Sequence, residues 1–286
     1  MLPRYFTDKL AKYGVFITAL VSILVLLAIA IFIIKGGLPL FGEVNPLDFL
    51  FGQSWSPTYG EYGILSMIVG SLLVTLGAMV IAVPLGIACA ILLAEVAPRR
   101  VRDLLRPAVE LLVGIPSVVY GLVGIMVIVP AVRNLGGTGY SILAAVLVLS
   151  IMVLPTIISI SEDSLRAVPR TYREGSLALG ASHWQTIWHV LLPAARSGVG
   201  ASIVLGMGRA IGETMAMIMV IGNAVIIPSS PLDPARTLTG NIAVEINYAA
   251  GLHENALFAT GLVLLILILI LNSLATLVLK RGEQHA

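Results

Sequence analysis

Residues 63–94 read GILSMIVGSLLVTLGAMVIAVPLGIACAILLA, and no charged residue interrupts the chain between Glu61 and Glu95. About 30 Å of hydrocarbon takes roughly 20 apolar residues to cross as a helix. This run exceeds that need, so tilt or an extension beyond the bilayer is expected, with Pro84 as a candidate kink. Backbone polar groups in lipid must be satisfied within their own segment, which favours helix over an open strand. Working outward, five more runs meet the same criterion, at about 14–34, 108–132, 140–161, 200–227 and 256–279. Composition agrees. Of 286 residues, 58% are apolar and 11% charged, against roughly 45–50% and about 25% in soluble domains. An ordinary soluble enzyme, a disordered chain and a nucleic-acid binder are excluded. The expected fold is an all-α polytopic membrane protein of six transmembrane helices.

The few charges matter through their positions. Arg4, Lys9 and Lys12 precede the first run, and Arg99, Arg100, Arg102 and Arg106 follow the second. Arg166, Arg170, Arg173 and Arg196 follow the fourth, and Lys280 and Arg281 follow the sixth. The other side holds Lys35, Arg133 and Arg236. Basic residues collect on the cytoplasmic side, so both termini are expected there, as an even span count also requires. The first run is too long for a signal-peptide core and shows no obvious cleavage site, so it reads as a retained span. A two-part organisation follows. Residues 1–62 hold the first helix and an extracytoplasmic segment with Trp55, Tyr59 and Tyr62 at the interface. Residues 63–286 form a core of five spans with an inner loop at 162–199. Residues 238–250 are too short to span and read as a short helix lying on the outer surface.

Three features bear on chemistry. Arg209 and Glu213 lie inside the fifth run. Intramembrane charges cost about 2.5–3.5 kcal/mol each on insertion scales and mark function by default. Four residues apart, the two share a helix face. One reading is an ion pair locking helices. The other is a substrate pathway in which the guanidinium fork meets phosphate or carboxylate oxygens. Arg before Glu is the less favoured order for an i,i+4 pair, which tilts the balance to the pathway. Second, the inner loop carries Leu177, Leu179, Trp184, Ile187, Trp188, Val190, Leu191 and Leu192 at near-helical spacing, broken by Gly180 and ended by Pro193. This predicts a helix–turn–helix that is either an interfacial amphipathic element or a docking surface. Third, no Lys follows a Gly, so no P-loop is present and any driving ATP binds another chain. Cys89 is the single cysteine, and His183, His189, His253 and His285 show no metal-ligand spacing. Glu110 after Pro107 reads as first-turn capping of the third span, and Gly114–Ser117 and Pro155 as kinks or close packing.

The inner loop also carries a resemblance. Residues 174–193, EGSLALGASHWQTIWHVLLP, resemble the E-A-A loop of importer-type ABC permeases. Glu174, Gly180, Leu192 and Pro193 fall at matching positions, while Gly175 and Ser176 replace two alanines and Val190 an isoleucine. GIPSVVYGL at 114–122, LRAVPRTYREGSLALGAS at 165–182 and RAIGETMAM at 209–217 are similar to the phosphate-specific transport permeases. FGQSWSP at 51–57 looks like their C-type subunit. The resemblance implies a type I ABC importer permease fold in the inner membrane and a coupling helix at 174–193 that docks on an ATPase. It implies three partners: a paralogous second permease, two ATPase copies and an extracytoplasmic phosphate-binding protein. Arg209 and Glu213 would be the functional pair, and no cofactor is expected in this chain. Another oxyanion, such as sulfate, molybdate or a phosphonate, is the alternative cargo. A proton-coupled transporter relaying through Glu213 would leave the loop motif unexplained.

Overall fold

The structure, a computed structural model, describes residues 4–284, with side chains for residue 9 and residues 11–277. The side chains of Arg4, Lys280 and Arg281, and all of His285, lie outside the described residues. The chain is all-α apart from a two-stranded hairpin pairing Trp55–Ser56 with Glu61–Tyr62. Helix α1 spans Arg4–Gly37, α2 Pro46–Phe51, and α3 Leu65–Ile91, which continues through a wider π turn, Leu92–Val96. Then come α4 (Arg99–Gly114), α5 (Ser117–Val123), α6 (Val129–Arg133) and α7 (Ile142–Ala167). Next are α8 (Arg170–Ala178), α9 (His183–Thr186), α10 (Leu192–Ala194), α11 (Arg196–Gly212) and α12 (Met215–Val220). The last two are α13 (Leu238–Glu245) and α14 (Leu252–Gln284).

Among the described residues, four helices are long and apolar enough to cross a membrane: Ala11–Gly42, Leu65–Val96, Ile142–Ala167 and Leu252–Leu277. Two bent pairs raise the number to as many as six. Arg99–Gly114 meets Ser117–Arg133 at 100°, and His183–Ala194 meets Arg196–Gly212 at 69°. Helices α3 and α7 stay unbroken through Pro84 and Pro155. The kink expected at 114–117 is found, as a full break inside the third run, 108–132. The residue before a proline leaves the helical region, and Ile115 does so at φ −69°, ψ 126°. Helix α4 therefore begins at Arg99 and lies across α5. Glu110 is accordingly not in a first turn, and it pairs with Arg106 at 3.1 Å.

The core is built on α7, whose buried residues outnumber its exposed ones because neighbours cover most of it. α3 runs parallel to it and α11 antiparallel. Small residues bring these helices together. A Cβ at Gly198 would stand 2.1 Å from Ser164 Oγ, and one at Gly206 would stand 3.0 Å from Val153 and Ile157. Between them Ser161 and Ser202 share a hydrogen bond of 2.8 Å. At one end of the bundle, Ile187, Leu191, Ala195 and Val199 pack on Ala90, Ile91 and Leu165. This is the basic end, carrying the arginines of α4, α7 and α8. At the opposite end Leu40, Phe49, Trp55, Tyr62 and Ile64 pack with Leu238, Ala256 and Leu257.

Two expectations for that opposite end change. Trp55 and Tyr62 are core residues, 8% and 6% exposed, and of the three expected aromatics Tyr59 alone, at 84%, is open. Residues 238–245 do not lie on the surface. Leu238, Thr239, Gly240, Asn241 and Glu245 are all buried, and Leu238 N–H donates to Ser71 Oγ on α3 at 2.9 Å. The expected inner loop also shortens, because α7 runs to Ala167 and α11 starts at Arg196.

Candidate functional site at a broken helix

The fifth run is not one helix. α11 stops at Gly212, Glu213 is extended at φ −68°, ψ 131°, and α12 restarts at Met215. Unwound backbone at membrane depth is tolerated where protein buries it or where it lines a wet cavity. Glu213 carbonyl accepts a 3.0 Å bond from Thr239 Oγ1 of α13, so the inserted helix supplies part of that cover. The break also changes the relation between Arg209 and Glu213. They do not pair across a shared helix face. Arg209 sits in the last turn of α11 and donates from Nη1 to Thr156 Oγ1 of α7 at 3.2 Å. Glu213 turns the other way, and its Oε1 accepts from Ala216 N–H in the first turn of α12 at 3.1 Å. Each charge therefore serves a helix end of opposite partial charge, a cation at a C-terminus and an anion at an N-terminus. Among the described residues no carboxylate pairs with Arg209, and a guanidinium has five N–H donors. Most of its capacity is open to an anion at the point where two half-helices meet.

At the basic end the structure folds 170–194 as a helical hairpin. Gly180, at φ +86°, closes α8 because a left-handed residue is needed there. Gly180 N–H bonds Leu177 carbonyl at 3.0 Å and Ala181 N–H bonds Ser176 carbonyl at 3.2 Å, a Schellman closure. Ser182 then caps α9, with Gln185 completing a capping box. Pro193 does not end the element. It opens α10, as proline does in a first turn, and the bend falls at Ala195. Glu174 and Gly175 are exposed, Ser176 shares a 3.0 Å bond with Thr186, and Val190 and Leu192 are half-buried. A groove of about 480 Å³ runs between Tyr172, Ser176, Leu179 and Val190. Leu179 is 91% exposed beside open Trp184 and Trp188.

Local pattern did not reveal three other charge clusters. Arg173 of α8 forms an ion pair with Glu95 of the α3 π turn. Glu162 is buried in α7, 2.5 Å from Arg166, and Arg106 binds neighbouring Asp163 at 3.0 Å. Arg236 Nη1 donates to Glu245 Oε1 at 2.7 Å, while Glu245 Oε2 accepts from Trp55 Nε1 at 2.8 Å and lies 2.9 Å from His253 Nε2. Their partners lie up to 190 positions apart. The usable signals are an isolated charge flanked by apolar residues, as at Glu95, and the i,i+4 spacing of Glu162 and Arg166. Outside the spans, hydrogen bonds from the Ser229 hydroxyl and the Ser229 and Ser230 amides hold Asp233 below the usual carboxylate range. Among the described residues no group of three or more His, Cys, Asp or Glu is placed to hold a metal.

Residues 82–283 match the family model "Binding-protein-dependent transport system inner membrane component". The chain belongs to that family. Within it, the chain is 47% identical over 257 residues to the probable ABC transporter permease protein YqgH of Bacillus subtilis, covering 87% of this chain and 83% of that one. It is 37% identical over 267 residues to the phosphate transport system permease protein PstC of Xylella fastidiosa strain 9a5c, covering 85% and 82%. Among solved structures, a MetNI methionine ABC transporter chain superposes at TM-score 0.62 and 20% identity, covering 80% of this chain and 99% of that one. A chain of a bacterial ABC transporter that imports alginate gives 0.62 at 16% identity, covering 97% and 99%. The chain is thus the permease subunit of an ABC-type importer. Its fold is a type I importer permease domain and not a nucleotide-binding ATPase domain.

Proposed function

We propose that this permease carries inorganic phosphate inward across the cytoplasmic membrane. The observation that carries the reading is Arg209, an incompletely bonded guanidinium at a helix break inside the fifth apolar run. Half-helix ends meeting at a substrate are a recurrent transporter device, and a guanidinium fork matches phosphate oxygens. The several relatives named as PstC phosphate permeases support the choice of anion. In this reading both termini and the α8–α10 hairpin face the cytoplasm, where basic residues collect. Exposed Leu179, Trp184 and Trp188 dock in a groove of a partner ATPase, with Glu174, Gly175, Ser176, Gly180, Val190, Leu192 and Pro193 setting the hairpin's shape. A paralogous permease completes the pathway, a second ATPase copy docks there, and an extracytoplasmic binding protein delivers the anion. ATP binding moves the hairpin and switches the bundle between two access states. Arg209 offsets the anion's dehydration. Glu213 acts from the pathway wall by capping α12 and holding the break, not by pinning Arg209.

The test is uptake of labelled phosphate into proteoliposomes holding this chain, its second permease, the ATPase and the binding protein. ATP-dependent uptake that sulfate does not compete is expected. Competition by sulfate would reassign the cargo, and uptake without ATPase would overturn the docking role of the hairpin.

A further inference from the structure

Helix α8 buries none of its side chains. Whereas residues 187–191, between α9 and α10, pack into the bundle through Ile187 and Leu191, α8 has no buried apolar anchor of its own there. Its firm connections are polar. Ser176 bonds Thr186 within the hairpin. Arg173 reaches out of the hairpin, and its Nη2 pairs with Oε1 of Glu95. Glu95 sits in the π turn that ends α3, and its side chain is 2% exposed. A carboxylate so buried needs a partner, and Arg173 provides it. Arg173 Nε is itself buried without a hydrogen-bond partner, so its hold on the bundle runs through this carboxylate.

The same π turn is a junction. The helix ends there, so its last carbonyls have no intrahelical donors, and two further arginines take them. Arg102 of α4 donates from Nε to Leu93 carbonyl at 2.8 Å and from Nη2 to Ala94 carbonyl at 3.3 Å. Arg166 of α7 donates to Leu93 carbonyl at 3.5 Å. Arginines from α4, α7 and α8 thus converge on one turn of α3.

We propose that Glu95 and Arg173 are a positioning pair that hands movement of α8 to α3 and, through the shared turn, to α4 and α7. This rests on the hairpin being the ATPase docking surface. The pair touches neither cargo nor nucleotide. Its loss should leave assembly and ATP hydrolysis in place and separate hydrolysis from transport.

Glu95→Gln is the informative variant. It removes the buried charge, keeps the side-chain shape and leaves Arg173, 34% exposed, able to find water. Labelled phosphate uptake and ATP hydrolysis would be measured in the same proteoliposomes holding the full complex. The expected result is an intact complex that hydrolyses ATP with at least about tenfold less phosphate moved per ATP, the scale of one charge-assisted bond. The double reversal Glu95→Arg with Arg173→Glu is expected to recover part of that ratio. An unchanged ratio in E95Q beside a coupled wild type would overturn the pair alone. Loss of the complex in E95Q and in the double reversal would make the pair a folding element and also overturn it. A wild-type chain that fails to bind the ATPase would remove the docking reading and this proposal together.

Discussion

Two of the protein's arginine–glutamate sets, Arg236 with Glu245 and Arg209 with Glu213, are arranged in opposite ways. Arg236 and Glu245 close on each other at 2.7 Å, and Trp55, His253 and Asn241 occupy surrounding donor and acceptor positions. Arg209 and Glu213 have a spacing that would let them meet on one helix, yet they point to different helix ends. Closure makes the first set a fastener, tying α13 to α14 and to the hairpin at 55–62. The second set keeps donor capacity unspent at a break, which a structural pair would not do. Sequence spacing alone thus misjudges both. The pair four residues apart is open, and the pair nine apart is shut.

Four measurements would break or sharpen that contrast. The largest effect is expected from Glu245→Ala, which strands a half-buried Arg236. Removing one partner of a buried pair costs about 3–5 kcal/mol, so thermal unfolding in detergent should fall markedly. A wild-type melting curve would mean that the cluster is wet and not a fastener. Arg209→Gln comes second, with roughly 10–100-fold less phosphate uptake and little change in melting, because it removes charge-assisted bonds to cargo. Arg209→Lys should fall between, keeping charge without the fork. If R209Q instead lowered stability as much as E245A, the contrast would collapse. Third, Glu213→Ala removes the cap of α12 and should cost about 0.5–2 kcal/mol, visible as faster amide exchange over 215–220. The smallest effect concerns Asp233. Its folded value lies below its ordinary 3.8, so its contribution is present above that pH and fades as pH falls through the lowered value. Amide protection around 229–233, corrected for intrinsic exchange, should fall below about pH 4 in the wild type and stay level with acid in Asp233→Asn.

The spans were legible because hydrocarbon imposes one simple rule, and residues 63–94 obey it without a charge. The bend before Pro116 was legible in kind, since proline constrains its predecessor, but its 100° angle reflects α4 lying across α5. The break at Glu213 carries no proline. The Glu213 carbonyl is met by Thr239 of α13 from 26 positions away, and a local pattern holds no trace of that contact. The Gly180 turn was legible because a left-handed residue selects glycine. Glu95 and Arg173, 78 positions apart, could be flagged singly as charges near apolar runs but not joined. Trp55 shows the limit of a compositional rule. An aromatic beside glycines and prolines suggests an interface, yet its indole N–H finds Glu245 and the ring goes inside.

The seam between α7 and α11 has a mechanical consequence. Gly198, Ser202 and Gly206 bring the two backbones so close along their shared length that neither can slide past the other. α11 is 17 residues, about 25 Å at 1.5 Å per residue, and it is jointed only at its extremities, at Ala195 and Glu213. Two welded rods with a joint at each end behave as a stiff beam. On the proposed reading, a push delivered at the Ala195 elbow travels along α11 to Arg209, and bending falls at the Glu213 break.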